Sequence, residues 1–187
     1  MGGLAQILSC IGPTCGDTAD WKAAEAVYGR PLPSDYRWFI ETFGRGTIEQ
    51  MVVVRGPATG RAEWEGIRVD TLPPEMVSET DDWHDPAPEG LYRLEDMLVR
   101  AHTNAADVLC WVAAEPDPDR WPVAVWSRCH AAWTVYPFGM AEFLVGLLCD
   151  RFEEWPISDS GLRGDTSPRF LHDDEEAAAE LGTDPWD

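Results

Sequence analysis

The stretch DWKAAEAVYGRPLPSDYRWFIETFGRGTI, residues 20–48, decides the fold. Ala23, Ala24, Val27 and Tyr28 fall at helical spacing with Trp21, and Asp17 or Thr18 stands ready to cap that first helix. Gly29 stops it, and Pro31 and Pro33 keep it from continuing. Ser34 is a good N-cap for a second helix, on which Tyr36, Phe39, Ile40 and Phe43 recur at i, i+3, i+4 and i+7. Gly44 ends that helix in the left-handed region that glycine adopts at least cost. The β-branched run Thr47–Arg55 then predicts a strand. Nothing in this block is placed for catalysis, so its aromatic side chains read as a structural seam.

Working outward, Leu4–Ile11 predicts a short leading helix, and residues 1–16 a leader segment. Arg61–Val69 is expected to pair back as a hairpin strand. Leu91–Ala101 predicts a helix with Leu94, Met97, Leu98 and Ala101 on one face. Asp107–Ala114, Pro122–Arg128 and Ala131–Tyr136 predict strands, and Met140–Phe152 a helix. The expected fold is α+β: a mostly antiparallel sheet of about five or six strands, with N-terminal and C-terminal helices packed on it. Residues 1–152 form the expected domain, and 153–187 an acidic, partly ordered tail with a short helix over Asp173–Leu181.

The block Trp21…Leu32-Pro33-x-Asp35-Tyr36…Phe39…Gly44-x-Gly46 resembles the N-terminal signature of the SUKH superfamily. Further on, Asp119-Arg120-Trp121-Pro122-Val123 is similar to the strand entry of that family, and Trp133…Tyr136…Phe143-Leu144 to its ending. The resemblance covers residues 20–150. It implies a non-enzymatic protein-binding domain. Bacterial immunity proteins and the yeast cell-wall-assembly regulators belong to the superfamily. The first implies neutralisation of a cognate toxin by occlusion, the second a scaffold or regulatory module for an endogenous protein.

Composition narrows the partner. The net charge is -20, with a single lysine, Lys22, among 14 basic residues. Such a chain has few cations with which to displace counterions from a phosphate backbone, so a nucleic-acid partner is not expected. A basic protein is. The acids also cluster: residues 75–96 and 153–187 hold most of the excess. The candidate partner-binding residues are therefore Asp81, Asp82, Asp85 and Glu89 on one loop and Asp117 and Asp119 on another. Trp83 and Trp121, beside those acids, are candidate anchors, because tryptophan is enriched at binding hot spots.

Five cysteines without a C-x-x-C pair, most in apolar surroundings, read as reduced core thiols of a cytoplasmic protein. No membrane span is expected. No histidine pair has zinc-ligand spacing, and no phosphate loop, dinucleotide fingerprint or nucleophile elbow occurs, so neither a metal nor a cofactor is expected.

Overall fold

The computed structural model describes residues 3–59, 70–72, 76–77, 83, 92–179, 182 and 186. Among these, eight strands form one sheet: β1 (Ser9–Ile11), β2 (Gly46–Ile48), β3 (Val52–Val54), β4 (Met97–Thr103), β5 (Val108–Val112), β6 (Val123–Ser127), β7 (Ala132–Tyr136) and β8 (Arg169–His172). The spatial order is β1-β8-β2-β3-β4-β5-β6-β7. Every neighbouring pair is antiparallel except β1 and β8, which run parallel. The α+β architecture is as the sequence predicts, with more strands than expected.

Five helices whose bounds fall among the described residues accompany the sheet: α1 (Leu4–Ile7), α2 (Trp21–Tyr28), α3 (Ser34–Thr42), α4 (Met140–Leu148) and α5 (Asp173–Ala179). On α3, Tyr36, Phe39 and Ile40 are fully buried, with Phe43 just past its end almost so. These are the positions that the helical spacing selects. Phe39 meets Phe43 and Phe170, and Tyr36 meets Trp111 edge-on at 4.9 Å. The helix α2 is capped by its own Asp20, which accepts from the amide of Ala23 at 2.9 Å, and not by Asp17 or Thr18. Gly29 and Gly44 take the left-handed conformation at φ 68° and 88°.

The sheet separates two cores, because successive strand residues point to opposite faces. Leu109, Trp111, Val123 and Val125 join the helices in the larger core. Cys110, Val112, Ala124 and Trp133 face the other way, under Leu72, Leu94 and the half-buried Met76, Val77, Trp83 and Tyr92.

Four expectations need correction. The run Thr47–Arg55 is a hairpin, not one strand: Glu49 and Gln50 both take positive φ, and the amide of Met51 donates to Ile48 O at 2.8 Å. That is a type I′ turn, which usually needs Asn or Gly and so leaves no signature in Glu-Gln. Leu91–Ala101 holds a single 3₁₀ turn at Leu94–Asp96 followed by β4, not a helix. Pairing to both β3 and β5 satisfies that backbone and overrides the helical spacing. Leu4–Ile11 divides into α1 and β1. Finally, the region after residue 152, expected as a partly ordered tail outside the domain, joins the sheet where it is described. Ile157 and Leu162 are buried, and β8 sits between β1 and β2 inside the sheet. The hairpin expected over Arg61–Val69 lies outside the described residues.

The cysteines differ as well. Cys10 and Cys15 form a disulfide, and Cys129 and Cys149 are exposed, so only Cys110 is a buried thiol. Burial pushes the Cys110 thiol well up from its ordinary range. No helix among the described residues is long and apolar enough to cross a membrane.

Candidate interaction surface

Two of the sequence-selected acids, Asp117 and Asp119, lie exposed on the connection between β5 and β6, on a 3₁₀ turn at Pro118–Arg120. Their carboxylates already have structural partners. Asp117 accepts from the amide of Asp119 at 3.1 Å. Asp119 reaches 85 residues back along the chain and accepts from the amide of Ser34 at 2.6 Å. Ser34 is thus the first residue of α3, and its cap arrives from another loop. Asp35 repeats the arrangement, accepting from the amide of Ala141 at 2.9 Å in the first turn of α4. Burial raises the Asp35 carboxyl above its ordinary value, offset in part by the Ala141 and Tyr36 amides, and the charge of Asp119 pushes it the same way.

Trp121 is not an exposed anchor. It is 2% exposed, donates its indole N–H to Glu115 O at 2.7 Å, packs against Trp111 and lies under the Arg30 guanidinium. The polar residues around it in sequence are the surface of a turn that the ring plugs from beneath. Trp83 is half-buried against the other face of the sheet, with its ring 6.4 Å from both Tyr92 and Trp133. The two tryptophans therefore belong to different cores and cannot line one patch. Asp81, Asp82, Asp85 and Glu89 lie outside the described residues.

A group that sequence reasoning missed is Arg100. It is 2% exposed, and its guanidinium pairs with Asp70. Three rings surround it: Tyr28 at 5.3 Å, Tyr36 at 5.8 Å and Trp111 at 5.3 Å. Among the described residues its Nε and Nη1 have no hydrogen-bond partner, and aromatic faces stand where acceptors would. Asp70 also accepts from the Tyr28 hydroxyl and pairs with Arg55 at 3.2 Å. An arginine in an apolar-looking strand leaves no sequence trace of the rings that will enclose it.

Two of the described histidines, His172 and His102, sit in contrasting surroundings. His172 is buried, with Nε2 3.2 Å from Asp17 Oδ1 and Nδ1 accepting from the amide of Asp174 at 3.1 Å. Both nitrogens are committed, so the ring bridges β8 to Asp17 and to the start of α5. His102 is exposed on β4, and burial of its ring edge together with Arg55 lowers its pKa. Beneath α4, a cavity of about 20 Å³ is lined by Val54, Leu109, Trp111, Val123 and Phe143 among others. It has room for a water-sized group only.

The signature residues thus have structural work. Trp21 donates to Glu41 at 2.8 Å, Asp35 caps α4, Tyr36 and Phe39 fill the core, and a Cβ on Gly46 would stand 2.1 Å from Leu171 O. Residues 16–156 match the SMI1 / KNR4 family (SUKH-1). The chain belongs to that family. No curated protein and no solved structure was found to match it. In this SUKH-1 protein, β1, β8 and α5 lie outside the matched span, yet β8 is the strand on which β2 pairs.

Proposed function

We propose that this SUKH-1 protein is a non-enzymatic protein-binding domain, and that it neutralises a cognate bacterial toxin by occluding the toxin's active site. The observation that carries the reading is the use of the family signature: Asp35, Tyr36, Phe39 and Gly46 are all engaged in capping and packing, which leaves recognition to the rest of the surface. The net charge of -20 supports a basic partner, whose approach it would steer. The proposed contact residues are Asp81, Asp82, Asp85 and Glu89 with Trp83 beside them, and separately Asp117 and Asp119. Trp121, held in the core, is not among them. The domain acts in the cytoplasm on this reading, where a toxin would reach its target.

The test is co-expression with any toxin domain that a neighbouring gene encodes. Growth should be rescued by the wild-type chain, and the purified pair should form a salt-sensitive complex. Absence of rescue with a folded, expressed chain would remove the immunity role. Capture of an endogenous, non-toxic protein as a stoichiometric partner would place the domain with the regulatory members of the family.

A further inference from the structure

The first and last strands of the chain meet at one edge of the sheet. Ser9, Cys10 and Ile11 pair in register with Arg169, Phe170 and Leu171. Just past β1 the chain turns at Gly12, and the amide and hydroxyl of Thr14 both donate to Glu175 of α5, the amide at 3.1 Å. Asp17 then donates its amide to Ile40 O at 2.8 Å and accepts from Arg45 and His172. This short segment therefore touches β8, α5 and the end of α3. The Cys10–Cys15 disulfide closes it, with Cys15 exposed and Cys10 half-buried.

We propose that the Cys10–Cys15 disulfide is a reducible latch that sets how firmly β1 holds β8 and α5 to the sheet. A low-molecular-weight thiol, as its thiolate, attacks Sγ of Cys15, the exposed sulfur. The S–S bond breaks, and Cys10 Sγ leaves with the electron pair and takes a proton. A second thiol attacks the mixed disulfide and releases the Cys15 thiol. Two electrons and two protons pass from the reductant, which leaves as its own disulfide, and an oxidised small disulfide reverses the sequence. Exposure of Cys15 makes the bond accessible to exchange, unlike a disulfide buried in a core.

Three pairings hold the edge strand β1, so removing the closed loop restores chain entropy to the opened state of this corner. When β1 leaves, β8 becomes the edge and presents unpaired N–H and C=O groups. The remainder of the sheet, from β3 to β7, has its own pairings and a second core on the far face, so the opening stays local.

Amide hydrogen exchange on the full chain, carrying Cys129→Ser and Cys149→Ser to remove the exposed thiols, tests this. Equilibration with oxidised glutathione should form the Cys10–Cys15 bond, read by intact mass and peptide mapping. Reduction with dithiothreitol should speed exchange in residues 9–17 and 169–179 by about tenfold or more, as release of a short closed loop implies. Exchange in β5 and β6 should be unchanged. Adding Cys10→Ser should reproduce the reduced pattern with and without dithiothreitol. Failure of the bond to form, equal exchange in both redox states, or equal acceleration across β5 and β6 would each overturn the latch.

Discussion

The Asp119 carboxylate accepts a hydrogen bond from the Ser34 amide at 2.6 Å, and so caps α3 from the loop between β5 and β6. This gives one residue two separable roles, cap and surface charge. Asp119→Ala should destabilise the fold by about 1 kcal/mol, the usual cost of losing an N-cap. Asp119→Asn keeps an acceptor and removes the charge, so it should retain most of the stability while slowing association with a basic partner. Urea denaturation and stopped-flow binding read the two effects independently. Full stability in the alanine variant would exclude the capping role.

Asp35 predicts a pH dependence. Burial raises its folded-state carboxyl above the ordinary value of 3.8. Between those two values the folded state binds more protons than the unfolded one, so this group's contribution to stability falls as pH rises. The contribution is fully present below about 3.8 and is lost as pH passes the raised folded value. Asp35→Asn cannot titrate. It should therefore gain stability relative to wild type as pH rises from 3 to 7, and thermal melts at the two ends will show it. A constant difference between the two proteins would contradict the burial assignment.

Arg100 and Asp70 make a sharper stability prediction. Removing one partner of a buried ion pair leaves the other uncompensated, at a cost of about 3–5 kcal/mol. Arg100→Ala should lose that much, and Tyr28→Phe should lose less, since Asp70 keeps both arginines. Chemical denaturation measures both. A loss under 1 kcal/mol for Arg100→Ala would mean that the surrounding rings, not the ion pair, hold this part of the fold.

Glycine replacements separate steric from conformational cost. Both Gly29 and Gly46 have positive φ, but a Cβ at Gly29 meets nothing within 4 Å, whereas at Gly46 it meets Leu171 O at 2.1 Å. Gly29→Ala should cost about 1–2 kcal/mol, the left-handed penalty alone. Gly46→Ala should cost more and disrupt the pairing of β2 with β8, visible as loss of amide protection at Leu171. Equal effects would place no steric demand on Gly46.

Phe39→Ala tests the aromatic seam: truncation of this fully buried ring should cost about 3–5 kcal/mol, with a correspondingly lower Tm. Trp83→Ala should also affect folding, because its ring packs on Tyr92 and Trp133. A loss of about 1–2 kcal/mol is expected for a half-buried aromatic contact. Partner dissociation rates for this variant must therefore be read at temperatures well below its melting transition.

The sequence by itself determined the α2–α3 hairpin, its buried face of Tyr36, Phe39, Ile40 and Phe43, the strands β5 to β7, the helix α4 and the family. Each of these rests on local periodicity or on a glycine whose φ no other residue takes cheaply, so a window of a few residues carries the information. The tertiary structure alone decided what depends on partners distant in the chain. Met97–Thr103 becomes a strand because β3 and β5 satisfy its backbone on both sides. Arg169–His172 enters the sheet because β1 and β2 flank it, although the acidic sequence around it carries little strand signal. Trp121 is buried because Trp111 of β5 and the Arg30 guanidinium close over a ring that a polar turn carries. Asp119 finds Ser34, and Arg100 finds its rings and Asp70, across separations at which no periodicity operates. Burial and long-range pairing are properties of the assembled chain, and they place in the core the Trp121 ring that composition alone assigns to the surface.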